Sequence, residues 1–167
     1  LPELGYFNKS GHKVQECHII KNTQIELLYR PFELLNSVFE LASSDSTSNE
    51  IEMSSSLFEK FVPNIEKALK LIKEICTEHF NLIEKHCKRI ILFKTNPKNT
   101  NSFATINAHG MAFLNAYQED YDEVFFIDDI AHQTRHIIMT AILLERKKYF
   151  LIDENENIKK ITQNETE

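Results

Sequence analysis

The sequence predicts a single α+β domain in which a small, mainly antiparallel sheet packs against two long helices. Three observations lead to this prediction. Short β-rich segments follow one another closely between residues 89 and 117, and a long segment with helical periodicity lies on each side of them. The chain has 167 residues, 42% hydrophobic and 26% charged, which suits one globular core.

The N-terminal part, residues 1–41, is predicted to be a segment of the same domain or a fragment. In the segments ECHII and QIELLY, polar and apolar residues alternate enough to indicate short strands. Pro31 opens the predicted helix FELLNSVFELA. Residues 42–56 contain seven serines and few residues that could pack in a core. This composition predicts a loop or linker.

Residues 57–152 form the predicted core, and its first long helix is expected to open at Pro63. From Ile65 to Cys87 apolar and weakly polar residues recur at spacings of three and four, which is typical of one amphipathic helix. The segments RIILF, SFATINA and MAFLNAY follow, separated by the turn NPKNTN and by Gly110. They are predicted to form three strands.

A second long helix is predicted over residues 124–144, after the acidic segment QEDYDE, which suits a helix N-terminus. This helix is apolar on almost every side, so we expect it to be buried. The segment YFLI is predicted to be a last strand. Residues 153–167 are predicted to be a polar tail.

Composition also limits the function classes. The net charge of -6 disfavours nucleic acid as a partner, and no apolar run is long enough to span a membrane. Three cysteines without a CxxC pair favour a reduced, cytoplasmic location, and no targeting segment is recognised. Leu1 stands where an initiator Met would be, so we expect a trimmed or excised piece. Three glycines cannot supply a phosphate-binding loop of the usual kinds.

The pair His132 and His136 is the main candidate for chemistry. The two residues are four apart, so one helical face carries both imidazoles, a spacing suited to binding Zn²⁺ or Fe²⁺. Asp128 lies one turn earlier and could bind the ion or orient a histidine. The alternative is a buried polar seam in which strand carbonyls and Asp128 or Asp129 satisfy the histidines.

Two other groups were weighed as metal ligands. Cys76, His79, His86 and Cys87 would spread over about 16 Å of a straight helix, so a structural role is favoured. Cys87 lies among basic residues and is expected to have the most lowered pKa of the cysteines. His109, before the Gly110 break, is interpreted as a strand-rim residue, with a metal-ligand role as the alternative.

The order of elements and the HxxxH helix resemble the HExxH-motif, zincin-like proteins over residues 58–150. The resemblance implies that His132 and His136 bind metal and that MAFLNAY is an edge strand along which peptides lie. Gln133 replaces the motif's glutamate and cannot act as its general base. The longer metzincin motif is absent, and Glu156 is only a weak candidate for a third ligand.

Some proteins of this group are Fe(II)- and 2-oxoglutarate-dependent peptide hydroxylases, and this resemblance tolerates Gln133. It implies a dioxygenase acting on a peptide or protein, with Fe(II) and 2-oxoglutarate as cofactors. Gln133 and Arg135 would be the catalytic residues. Arg135 is the better candidate for binding the cosubstrate and Arg146 the second, with capping of the helix C-terminus as the favoured alternative for Arg146. The alternatives are a zinc peptidase-like hydrolase with another base, and a non-catalytic module that binds peptides at MAFLNAY.

Overall fold

A computed structural model of the chain describes residues 6–7, 10–43 and 50–144. These residues form an α+β fold, as predicted. The helices are α1 (Glu33–Ala42), α2 (Ser55–Ile75), α3 (Thr77–His86) and α4 (Glu123–Leu143). The strands are β1 (Tyr6–Phe7), β2 (Lys13–Gln15), β3 (Glu26–Leu28), β4 (Arg89–Phe93), β5 (Phe103–Ala104) and β6 (Met111–Asn115).

The main sheet has the strand order β3-β4-β6-β5 and is mixed rather than mainly antiparallel. Strands β3, β4 and β6 are parallel, and only β5 runs antiparallel to its neighbour. The predicted antiparallel sheet was therefore wrong. The continuous apolar runs of β4 and β6 are typical of parallel strands that are buried on both faces.

The MAFLNAY segment forms β6, which lies between β4 and β5 inside the sheet. The prediction that it is an edge strand was wrong, because both of its sides are already hydrogen-bonded to neighbouring strands. A peptide therefore cannot add to β6 by strand pairing. The outer strands of this sheet are β3 and β5.

Alternate side chains of the strands enter two cores, one on each face of the sheet. Helices α2, α3 and α4 cover the face that carries Leu27, Ile90 and Leu114. Helix α1 covers the other face, where Phe39 meets the rings of Phe93 and Phe113 at 5.1 and 5.4 Å. The fold is thus three layers, with helices on both sides of the sheet.

Helix α2 begins earlier and ends earlier than predicted. The Ser54 hydroxyl accepts a hydrogen bond from Leu57 N at 3.3 Å and caps the helix, so Pro63 lies inside it. The chain leaves helical geometry at Cys76 and then forms α3. The predicted single helix through Cys87 is therefore two helices.

The N-terminal segment shares the core with the rest of the chain. Strand β3 pairs with β4, and the buried residues of α1 pack on the same sheet. The buried Glu26 carboxylate accepts hydrogen bonds from Arg89 Nε and Cys17 Sγ, each at 2.9 Å, and from the Tyr6 hydroxyl. This network joins β1, β3 and β4 at the amino end of the sheet.

Candidate functional site

Helix α4 carries the histidine pair and is fixed at its N-terminus by polar contacts. The Asp122 carboxylate accepts hydrogen bonds from Val124 N at 3.0 Å and Phe125 N at 3.1 Å. Lys67 of α2 pairs with Glu123, and Asn64 of α2 donates to Tyr121 O at 3.0 Å. These contacts fix which face of α4 is turned toward α2.

Helix α4 is not buried on every side, so that prediction was wrong. Its buried side consists of Phe126, Ile130, Gln133, Thr134 and Ile137. The opposite side is open to solvent although it contains several large apolar residues: Val124, Met139 and Ile142. Two polar residues thus occupy the buried stripe while apolar ones remain exposed, a pattern that hydrophobicity alone does not produce.

The two histidines lie on the exposed side of α4. Their Nε2 atoms are 3.1 Å apart, and their ring centroids are 4.9 Å apart with the planes at 68°. The predicted convergence of the imidazoles is therefore present. His132 and His136 are both exposed, so they do not belong to a buried polar seam and water can reach their ring nitrogens.

Gln133 lies on the buried side of the helix, only 6% exposed, and not on the histidine side. Its Nε2 donates to Asp129 Oδ1 at 3.2 Å. A residue one position after His132 is rotated by about 100° around the helix, which explains the separation. The position that carries the general base in HExxH proteins is thus occupied here by an amide turned into the core.

Asp129 connects the helix to the sheet, and sequence reasoning gave it only a minor role. Its Oδ2 accepts a hydrogen bond from Ser102 Oγ at 2.6 Å, and Ser102 Oγ accepts one from Asn115 N at 2.9 Å. Burial raises the pKa of Asp129, although both donors and the nearby His132 oppose this shift. In the sequence, only the i,i+4 spacing of Asp129 and Gln133 indicated that these two side chains could be in contact.

No third metal ligand joins the histidines among the residues that the structure describes, where no group of three His, Cys, Asp or Glu side chains could hold an ion. Asp128 is exposed on α4. Arg135 is exposed on α4, three residues after His132 and one residue before His136. The two remaining candidates, Arg146 and Glu156, lie outside the described residues, as does the predicted YFLI strand.

His109 lies elsewhere, next to His86 at the amino end of β6. It follows a short 3₁₀ helix (Ile106–Ala108) and precedes Gly110, whose φ is +84°. The pKa of His86 is lowered by burial first, and then by Lys85 and His109. His109 therefore lies exposed in the short link between the 3₁₀ helix and β6.

Cys76 lies between α2 and α3, His79 and His86 lie on α3, and Cys87 follows that helix. Cys87 is fully buried, and burial raises its pKa to about 12. The prediction of a lowered pKa was wrong, because the loss of water around the thiolate outweighs the backbone hydrogen bonds of Arg89 and Ala112 and the charge of Lys88. Cys76 is exposed between α2 and α3.

We expect iodoacetamide at pH 8 to modify Cys76 at least about 100-fold faster than Cys87, because the buried Cys87 thiol forms almost no thiolate. Peptide mapping by mass spectrometry after timed quenching measures both rates. Modification in denaturant provides the control, since both thiols should then react alike. Similar rates in the folded protein would contradict the burial of Cys87.

Among the described helices, none combines the length and the apolar character that a membrane crossing requires. Comparison of the chain with protein-family models, with curated proteins and with solved structures finds no match.

Proposed function

We propose that the chain is a metal-dependent enzyme whose ion binds to His132 and His136. The observation that carries the proposal is the 3.1 Å separation of the two Nε2 atoms on an accessible helix face. Nitrogens at adjacent positions of an octahedral ion lie about 3.0 Å apart, and those of a tetrahedral ion about 3.4 Å apart. A separation of 3.1 Å is therefore close enough for both nitrogens to bind one ion.

We assign the activity to an Fe(II)- and 2-oxoglutarate-dependent oxygenase that hydroxylates a peptide side chain. When bound, these cofactors and dioxygen supply the chemistry: 2-oxoglutarate becomes succinate and CO₂ while a substrate C–H becomes C–OH. This reaction needs no carboxylate base at position 133, so the inward-turned Gln133 is compatible with it. Peptide hydrolysis would require such a base at the metal.

The residues around the histidines have separate roles in this proposal. Arg135 binds a carboxylate of 2-oxoglutarate, because its guanidinium can donate two parallel hydrogen bonds to a carboxylate and its side chain is exposed on the same helix as the histidines. Arg146 is the second candidate for that role. Asp128 and Glu156 are the candidate carboxylate ligands that would complete a two-histidine, one-carboxylate iron site.

The substrate is expected to lie along the exposed side of α4 rather than along β6. Met139 is 51% exposed and Ile142 is 42% exposed, so apolar surface adjoins the histidines toward the C-terminal end of the helix. Such surface suits a peptide with an apolar residue near its modified side chain. We place the enzyme in the cytoplasm, where a reducing environment keeps iron ferrous and the cysteines free.

Metal binding tests the proposal directly. Anaerobic titration with Fe(II) is expected to give one ion per chain, and His132→Ala or His136→Ala is expected to weaken binding about 100-fold or more. His12→Ala, which changes an exposed histidine far in sequence from His132 and His136, is the matched control. Equal, substoichiometric metal in the wild type and in the double variant would overturn the proposal.

Turnover distinguishes the oxygenase from other metal enzymes. We expect the Fe(II)-loaded protein to convert 2-oxoglutarate slowly to succinate without a substrate, and Arg135→Leu to raise the KM for 2-oxoglutarate at least about 10-fold. Asp128→Asn and Glu156→Gln, tested separately, identify the carboxylate ligand by loss of iron affinity. Tight zinc binding without succinate formation would contradict the oxygenase assignment.

A further inference from the structure

A basic surface lies at the end of the sheet where β4 and β6 begin. Its members come from the last turn of α3, from the residue that leads into β4 and from the link before β6: Lys85, His86, Lys88 and His109. Three of these side chains are exposed, and that of His86 is half-buried. The chain as a whole carries a net charge of -6, so this surface differs in sign from the rest of the molecule taken together.

Backbone contacts hold the two segments of the basic surface together. The Gly110 carbonyl oxygen accepts hydrogen bonds from Lys88 N at 2.8 Å and from the next backbone N–H at 3.2 Å. A Cβ atom at Gly110 would lie 3.4 Å from the His86 carbonyl oxygen, so the chain passes close to the end of α3 here. Burial lowers the pKa of His86, and the charges of Lys85, His109 and Lys88 lower it further. These charges therefore lie around one imidazole.

The nearby carboxylates do not neutralise the basic surface. Glu84 lies in the same helical turn, but its Oε1 accepts a hydrogen bond from Gln24 N at 3.0 Å. Glu26 is buried and pairs with Arg89 Nε at 2.9 Å. Among the residues that the structure describes, no carboxylate forms an ion pair with a member of the basic surface.

Stabilisation of α3 uses only part of this charge. The C-terminal end of a helix carries about half a negative elementary charge and favours cations. Lys88 meets this need, because its Nζ donates to Glu84 O at 2.7 Å. Lys85 forms no hydrogen bond to the described part of the chain, and His109 belongs to a different element. The Lys85 ammonium and the His109 imidazole are therefore available to a partner.

Two exposed apolar side chains adjoin these charges. Leu82 precedes Lys85 and His86 by three and four residues on α3, so the three side chains share one side of the helix. Leu82 is 43% exposed, and Ile106, in the 3₁₀ helix that leads to His109, is 65% exposed. Cations beside apolar side chains suit a peptide better than a bare anion, because a peptide can supply both carboxylates and an aliphatic group.

We propose that the basic surface binds an acidic peptide segment of a partner protein, with a large apolar residue between its carboxylates. The carboxylates pair with Lys85 and Lys88, and the apolar side chain packs on Leu82 and Ile106. Charge complementarity identifies this partner, since no carboxylate of the described residues occupies the surface. A nucleic acid is disfavoured, because the net negative charge of the chain repels a phosphate backbone. The surface is separate from the histidine pair on α4.

The test uses the acetylated, amidated peptide Asp-Glu-Leu-Glu-Asp as a probe of the full chain. In amide ¹H–¹⁵N spectra at low salt we expect it to shift residues 85–89 and 109–110, with a dissociation constant on the order of 1 mM. The neutral peptide Asn-Gln-Leu-Gln-Asn is expected to bind at least about 10-fold more weakly. Asp-Glu-Ser-Glu-Asp, which lacks the apolar side chain, is expected to bind at least about 3-fold more weakly. Equal binding of the three peptides would overturn the proposal, as would the absence of shifts at about 10 mM.

Other anions test the class of partner. Inorganic phosphate and an oligothymidylate are expected to bind more weakly than the acidic peptide, since neither offers an aliphatic side chain to Leu82 and Ile106. Raising the salt concentration from about 0.05 to 0.5 M should weaken binding of the acidic peptide at least about 5-fold. Tighter binding of phosphate or of the oligonucleotide to the same residues would overturn the peptide assignment.

Charge-removing variants locate the site. Lys85→Gln combined with Lys88→Gln is expected to weaken binding of the acidic peptide at least about 10-fold, and Lys85→Gln alone at least about 3-fold. The matched control, Lys70→Gln with Lys73→Gln, removes two exposed lysines with the same spacing on α2. Circular dichroism verifies that each variant is folded. Unaltered binding in the Lys85 variants, or an equal loss in the control, would contradict the site.

Apolar variants test the second half of the proposal. Leu82→Ser combined with Ile106→Ser should abolish the preference for the leucine peptide over the serine peptide. Ile75→Ser, which changes an exposed isoleucine at the end of α2, should leave that preference intact. His132→Ala should not affect binding, so failure of the metal proposal would leave this result unchanged. A preference that persisted in the double variant would show that Leu82 and Ile106 do not contact the peptide.

Discussion

Replacing Gln133 with glutamate is expected to lower the free energy of unfolding by about 2–4 kcal/mol at neutral pH and to produce no peptidase. The substitution completes the HExxH pattern in sequence. In the fold, however, the new carboxylate would be buried beside Asp129, whose Oδ1 now accepts a hydrogen bond from Gln133 Nε2 at 3.2 Å. A donor would become a second negative charge, and the melting temperature should fall by about 5–15 °C.

The destabilisation caused by Gln133→Glu is expected to depend on pH in a defined direction. Burial raises the pKa of Asp129, so in mildly acidic solution the folded state binds more protons at this position than the unfolded state. The contribution of Asp129 to stability therefore falls as the pH rises through its shifted pKa. Since Gln133→Glu adds a second carboxylate to the same place, its destabilisation should shrink as the pH is lowered. Urea unfolding at several pH values measures the trend.

Two further variants isolate the cause. Gln118→Glu, on the exposed surface after β6, should change stability by less than about 0.5 kcal/mol. Adding Asp129→Asn to Gln133→Glu restores a pair of one amide and one carboxylate, with the amide now at position 129. The double variant should therefore recover most of the stability that Gln133→Glu loses. If Gln133→Glu instead left stability unchanged and allowed zinc-dependent peptide cleavage, the side chain at position 133 would face the metal, and its burial would be wrong.

Local sequence was sufficient to predict several elements. Pro31 and the apolar spacing of FELLNSVFELA predicted α1, and the run RIILF predicted β4, because these signals depend only on neighbouring residues. The direction of the strands was predicted wrongly. It depends on the pairing of β3 with β4, whose segments lie about sixty residues apart in sequence. Periodicity cannot distinguish such a long parallel crossover from a set of hairpins.

The candidate site shows the same division between local and long-range information. The four-residue spacing predicted that His132 and His136 converge, and this follows from helix geometry alone. Which side of α4 enters the core was not predictable from hydrophobicity. Gln133 is buried because Asp129 is available as its acceptor, and Thr134 because its hydroxyl donates to Ile130 O at 2.6 Å. Satisfied polar groups can thus take core positions while Met139 remains exposed.

Replacing Asn115 with leucine is expected to lower the free energy of unfolding by about 3–5 kcal/mol. Asn115 is 1% exposed, and its carboxamide satisfies one backbone N–H and two backbone carbonyls of the loop after β4. Leucine has the same number and branching of side-chain heavy atoms but larger methyl groups, so the loss arises from unpaired polar groups and some overpacking rather than from a cavity. Urea unfolding compared with Asn81→Leu, the same change at an exposed position of α3, measures it.

Hydrogen exchange separates a local effect of Asn115→Leu from a global one. Without the carboxamide, the amide of Thr95 loses its acceptor, so its protection should fall further than that of Ile91 in the middle of β4. Asn115→Asp keeps the acceptor for Thr95 N but removes both donors, so it should preserve more of the Thr95 protection than leucine does. Equal loss of protection at Thr95 and Ile91 in both variants would mean that the loop unfolds only with the whole domain. In that case Asn115 would stabilise the core as a unit, and the loop after β4 would be as rigid as the sheet that carries it.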